Sequence, residues 1–325
     1  MRLAVLALAL ILPLSAAAHP RLAFLQDFGP SLVNDCFKPE GIAVDPRGQV
    51  YASSFAFAPS ANICVLDARG RLVRKIPVAA GSTGTAALLG MLFVPGEGLY
   101  VTDFADGTAG HGRLLRVDRR GRVTTVTEGF TAPNAIARDD AGNLYVSDSF
   151  AGTVTRLRPD GSRRAVWAQD PLLATQGQPP FGANGLAFDA ARESLYVANT
   201  GDDAVLRIPV RADGSAGPVE VFARGADLDA RLGTSHSLDG ADGIAFDLDG
   251  NLWVCANQAN EIQVLSPEGE IVARYRGAGA DALDFPASLV FRGRLLYVAN
   301  LSLATGASSK LSILWAPLPG LRVAP

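Results

Sequence analysis

Four side chains that carry a carboxylate or amide oxygen stand at one recurring place in the chain: Glu40 in PEGIAV, Asn134 in APNAIARD, Asn184 in GANGLAFD and Asp242 in GADGIAFD. Each comes immediately before a short apolar run. Leu89 and Ala287 hold the same place in two further runs. Two carboxylates and two amides are an oxygen-only donor set. Such donors suit a hard cation, Ca²⁺ foremost, with Mg²⁺, Mn²⁺ or Zn²⁺ as alternatives. The same residue types also stand in solvated turns with no ligand role, and these spacings fit either reading. His111 in FADGTAGHG and His236 in GTSHSLDGAD are further candidates for a general base. A solvated loop histidine is the plainer reading of each. His19 could chelate only as a free amino terminus. No G-x-S-x-G, Cys–His pairing or Gly-rich phosphate loop is present.

The elements that must position these residues repeat six times. The units start at Glu40, Leu89, Asn134, Asn184, Asp242 and Ala287, and successive starts lie 45 to 58 residues apart. Each unit reads as an apolar strand, a turn rich in Asp, Gly and Asn, and a second strand carrying Tyr-Val or Trp-Val. Two more strands follow, as in EIQVLSPEGEIVARYRG. Four strands per unit of this length predict blades of an all-β, six-bladed β-propeller with antiparallel strands. The last unit lacks a fourth strand. The early segment RLAFLQDF is expected to supply it, closing the ring by pairing residues 21–28 with the blade over 287–316. No stretch shows a helical stripe.

In such a ring the first strands line a central channel. Glu40, Asn134, Asn184 and Asp242 should then converge at its mouth. Two carboxylates facing each other there repel unless a cation sits between them. Asp103, Asp148, Asn199, Asn257 and Asn300 each end a second strand. Their recurrence assigns them to local backbone bonding. Loops 104–113, 169–183 and 224–241 are long enough to form a lid. Phe55, Phe57, Phe104, Phe150 and Phe181 fall in mouth-facing segments, which predicts a partly apolar entrance.

Residues 1–18 read as a signal peptide: Met1-Arg2, an apolar run to Leu14, then Ser15-Ala16-Ala17-Ala18. The expectation is an exported protein, periplasmic or secreted, with residues 19–325 forming one propeller domain. No segment is apolar for long enough to span a membrane. A net charge of −3 without a basic run argues against nucleic acid as partner. Cys36, Cys64 and Cys255 allow at most one disulfide; three buried thiols is the simpler reading.

At the four channel residues the chain resembles the senescence marker protein, gluconolactonase and luciferin-regenerating enzyme family. The resemblance implies a six-bladed propeller with one divalent metal. It implies that Glu40, Asn184 and Asp242 are ligands and that Asn134 contacts substrate. It further implies a hydrolase of a small-molecule lactone or related ester, with Asp242 as catalytic base. Two departures stand out. The start EGIAV lacks the Pro and Trp of the family's E-G-P-x-W, as an NHL-type repeat would. Ala132 stands where sugar-lactone members carry an Arg, which points away from polyhydroxylated substrates. The alternative expectation is a non-catalytic exported NHL-type propeller, a monomer binding protein, peptide or glycan at the same mouth.

Overall fold

The computed structural model describes residues 25–28, 36–303 and 310–321. The expected signal peptide, His19 and residues 21–24 lie outside them. Six four-stranded antiparallel sheets form the propeller. The first blade is β2 (Pro39–Val44), β3 (Val50–Ser54), β4 (Ser60–Leu66) and β5 (Leu72–Ala79); β1 (Leu25–Phe28) precedes it. The second is β6 (Leu88–Val94), β7 (Gly98–Asp103), β8 (Gly112–Val117) and β9 (Val123–Phe130). The third is β10 (Pro133–Arg138), β11 (Leu144–Asp148), β12 (Thr153–Leu157) and β13 (Ala165–Gln169). The fourth is β14 (Ala183–Phe188), β15 (Ser194–Asn199), β16 (Ala204–Pro209) and β17 (Glu220–Arg224). The fifth is β18 (Ala241–Phe246), β19 (Leu252–Ala256), β20 (Glu261–Leu265) and β21 (Ile271–Tyr275). The sixth is β22 (Pro286–Arg292), β23 (Leu295–Asn300) and β24 (Lys310–Trp315), completed by β1. Leu25 pairs with Leu314 and Phe28 with Leu311, so the early segment closes the ring as expected.

The second strands form because they are buried on both sheet faces. Trp253, Tyr100, Tyr145 and Tyr297 are among the largest fully buried side chains. The Tyr-Val repeat is therefore the packing between blades: Tyr145 meets Phe188 of the next blade edge-to-face at 5.0 Å, and Tyr196 meets Phe246 at 4.9 Å.

Two expectations are corrected. Cys36 and Cys64 form a disulfide, leaving Cys255 as a buried thiol. Cys36 lies between β1 and β2, and its bond to β4 ties that lead-in segment to blade one. A helix, α1 (Gly225–Leu232), occupies the 224–241 loop. It is only two turns long and buries little beyond Leu228, so it carries almost no apolar period. Gly233 ends it in the left-handed conformation, with φ of 64°.

Candidate functional site

The inner strands place the channel residues by a shared irregularity. In blade one Pro39 pairs with Ser54 and Ile42 with Ala52, so the inner strand holds one extra residue between paired positions. The same shift occurs at 133–136, 183–186 and 241–244. These are β-bulges, which turn a side chain out of the strand's regular alternation. Glu40, Asn134, Asn184 and Asp242 all fall inside them. The next residue is Gly in several blades because the strands crowd the axis. A Cβ on Gly185 would lie 2.2 Å from Asp242 O, and one on Gly41 would lie 2.1 Å from Leu89 O.

Hydroxyls on the second strands rivet neighbouring blades at this level. Ser53 donates to Leu89 O and Ser147 to Asn184 O, at 2.8 and 2.7 Å. Thr102 donates to Asn134 O. The chain at Leu89, Asn134 and Asn184 is thus held by the blade before it.

Glu40, Asn134, Asn184 and Asp242 are buried and together line one cavity of about 270 Å³. The expected convergence is present. Thr200 Oγ donates to Ala241 O at 2.8 Å, so it can only accept from the Asn184 amide, which it does from Nδ2 at 2.8 Å. This leaves Asn184 Oδ1 as the unspent acceptor. Ser149 does the same for Asn134: it donates to Ala183 O at 2.7 Å and accepts from Asn134 Nδ2 at 3.3 Å. Asp242 Oδ2 accepts from Asn257 Nδ2 at 2.8 Å. Glu40 Oε2 and Asn257 Oδ1 are buried without a hydrogen-bond partner.

Burial dominates the electrostatics. It pushes the Asp242 carboxyl up to about 7, against the opposing pull of hydrogen bonds from Asn257 and Asn184. Burial, and then the charge of Asp242, hold Glu40 well above the usual carboxylate range. Burial also raises the Cys255 thiol, which feels both carboxylates. Among the described residues neither carboxylate is seen in an ion pair. No group of three or more His, Cys, Asp or Glu side chains there could hold a metal ion; the third oxygen at this mouth is an amide.

The two histidines stay outside this cavity. His111 Nδ1 pairs with Asp106 Oδ1 at 2.9 Å, and His236 Nδ1 with Asp239 Oδ2 at 2.6 Å. His236 is exposed and His111 half-buried, each engaged by a carboxylate of its own loop. Asn257 does not end its second strand as expected: β19 stops at Ala256, which pairs with Ala241 as Asn199 pairs with Ala183, so Asn257 stands one residue past the strand, at the place of Ser149 and Thr200. Asp103 and Asp148 accept backbone N–H bonds, as Asn199 and Asn300 do through Oδ1. Asn257 instead spends its amide on Asp242. Ser149 and Thr200 were not singled out from the sequence, although a signal exists. A hydroxyl follows the second-strand Asp or Asn only in blades three and four, the two whose channel residue is Asn.

The loops complete the mouth. Loop 169–183 is pinned by Gly182 N to Ser149 O and by Gly201 N to Phe181 O, at 3.0 and 2.9 Å. It brings Pro179 and Phe181 onto the cavity. Gly240 N donates to Asp203 Oδ1 at 2.7 Å, fixing the chain just ahead of Asp242.

Residues 173–300 match the SMP-30/gluconolactonase/LRE-like region. The resemblance to the SMP-30, gluconolactonase and luciferin-regenerating enzyme family therefore holds over the segment that carries Asn184 and Asp242. The virginiamycin B lyase of Nocardia farcinica is 25% identical over 189 residues, 56% of this chain and 58% of that protein. The match thus spans under two thirds of that relative's length. A gluconolactonase from Xanthomonas campestris superimposes with a TM-score of 0.67 at 18% identity, covering 93% of each chain. Regucalcin from Agrobacterium tumefaciens, described as calcium-binding, gives 0.63 at 17%, covering 89% of this chain and 93% of its own. Both likenesses are of fold.

The buried donors fit a divalent cation on their own chemistry. Glu40 Oε2 is unpartnered, Asn184 Oδ1 is unspent, and two adjacent buried carboxylates need a positive charge to ionise together.

Proposed function

We propose that the protein is an exported, divalent-metal-dependent hydrolase of a lactone or related ester, acting at the mouth of the propeller channel. The observation that carries the reading is the unpartnered, buried Glu40 Oε2 beside Asp242, with two amides whose oxygens are left free by their hydroxyl partners. Glu40, Asn184 and Asp242 would hold the ion. When bound, a divalent cation polarises a carbonyl oxygen as a Lewis acid.

The chain's own groups divide the remaining work. Asn257 fixes the Asp242 carboxylate through Oδ2, so the base cannot rotate away. Asp242 would accept a proton from the water that adds to the carbonyl carbon and return it to the leaving oxygen as the C–O bond breaks. Asn134, anchored through Nδ2 on Ser149, orients the substrate. Loop 169–183 covers part of the cavity and limits water access.

The Cys36–Cys64 disulfide supports export to an oxidising compartment. Among the described residues no helix is long and apolar enough to cross a membrane. One observation favours a second reading, a lyase: the similarity to virginiamycin B lyase. The two readings separate by product. In ¹⁸O-water, hydrolysis places label in the new carboxylate, and elimination does not. A lactone and ester screen with Ca²⁺ and with chelator tests the proposal. Turnover that chelator abolishes supports it. Metal-bound protein with no turnover leaves a binding propeller.

A further inference from the structure

Five phenylalanines form one continuous wall at the cavity mouth. Phe104 is the hub: its ring centroid lies 5.9 Å from Phe55, 5.8 Å from Phe57, 5.4 Å from Phe150 and 6.0 Å from Phe181. Phe55 also meets Phe57 at 4.6 Å, and Phe150 meets Phe181 at 5.1 Å. Most of these contacts are edge-to-face or tilted, the geometry that ring quadrupoles favour. Phe55 and Phe181 line the cavity that holds Glu40 and Asp242. Gly107 leaves room for the hub, since a Cβ there would sit 2.6 Å from the Phe104 ring.

Packing alone does not account for this wall. Phe104 is buried, yet Phe57 is 51% and Phe150 41% exposed. Phe57 also holds a left-handed backbone with φ of 47°, an unfavourable conformation for a bulky residue. Phe285 across the cavity does the same, with φ of 53°. The Phe57 turn is fixed by the bridge between Ala58 and Ala86. A strained backbone that keeps a large ring in water at a pocket rim is a feature that stability would remove and binding would retain.

We infer that this mouth takes a small molecule with an aromatic ring or a comparably flat apolar group, which packs on Phe55 and Phe181, both backed by the buried Phe104, while its carbonyl end reaches Glu40 and Asp242. The inference rests on the reading of the mouth as the reactive site and supplies its substrate class: benzo-fused or aryl-bearing lactones and esters. A cavity of about 270 Å³ ending on buried polar groups suits a small ligand better than a flat protein partner.

The test is titration calorimetry with 2-tetralone, the carbocyclic ketone counterpart of dihydrocoumarin, which cannot be hydrolysed. Phe55→Ala and Phe181→Ala should each weaken its binding about tenfold, with Phe55→Leu in between. If either alanine variant melts early, Phe57→Ala at the exposed tip should still weaken binding. Tighter binding of D-glucono-δ-lactone than of 2-tetralone overturns the inference. So does an unchanged 2-tetralone affinity in all the variants. Loss of a dimer in sedimentation by Phe57→Ala, with unchanged 2-tetralone affinity, would also overturn it and make the wall a self-association surface. Tetralone binding without turnover of dihydrocoumarin would sink only the hydrolase reading; turnover of glucono-δ-lactone without tetralone binding would sink only this one.

Discussion

Asp242 is held by Asn257 on one oxygen and crowded by Glu40, and these contacts set what its replacement should do. Asp242→Asn keeps the shape and an oxygen ligand but removes the proton acceptor. Turnover should fall by about 10²–10⁴-fold, the usual contribution of a general base, while some metal remains by elemental analysis. Asn134→Ala should instead raise KM and leave metal content unchanged, because Asn134 is not among the proposed ligands. The same pair of carboxylates sets a pH dependence. Asp242 is raised from 3.8 to about 7 in the fold, and Glu40 is raised in the same direction. The folded state therefore binds more protons than the unfolded chain in this window. Metal-free protein should lose stability as pH climbs from about 4 through about 7. Added Ca²⁺ should raise the melting temperature most at the alkaline end, where the carboxylates are ionised. Melting curves in chelator and in Ca²⁺ across this range check both; a flat profile would mean that the two carboxyls do not share a site.

At the scale of strands and loops, the disulfide and the bulges carry the site. Cys36 and Cys64 are 28 residues apart in sequence, a loop whose closure stabilises the fold by about 3–4 kcal/mol in the chain-entropy account. The pair Cys36→Ala/Cys64→Ala should lower urea stability by about that much. It should also weaken Ca²⁺ binding, since Glu40 follows Cys36 by only four residues; calorimetric titration measures that. The inner and second strands were legible because burial on both faces forces the same apolar and Tyr-Val pattern six times. The channel residues were legible because they break that sameness at one place. The disulfide was not, since three cysteines leave the pairing open and only the fold brings β4 beside residue 36. Nor was the role of Asn257, because β19 ends one residue earlier, at Ala256, and only the register sets Asn257 at the place of Ser149 and Thr200. Helix α1 was missed for want of length, and the histidines are the solvated loop residues of the plainer reading, with Asp106 and Asp239 as partners that only the fold shows.

For the whole ring, an ion held by Glu40 from blade one, Asn184 from blade four and Asp242 from blade five would bind only the closed native state. Ca²⁺ at a hundredfold over its Kd should then stabilise the protein by about 2.7 kcal/mol, visible in calorimetry as a higher melting temperature. Zero shift with Ca²⁺, Mg²⁺ and Mn²⁺ alike would remove the metal reading altogether.

The latch between β1 and β24 has a consequence in time. Leu25 is synthesised well before its partner Leu314, a separation of 314 − 25 = 289 residues. Pairs so distant along the chain form late and slowly. Blades one to five can assemble while synthesis proceeds, but the sixth is incomplete until β24 arrives. The activity proposed above should therefore switch on once per molecule, after β24 docks, rather than accumulate blade by blade. A ring closed in this order has no working mouth until its most distant pair has met.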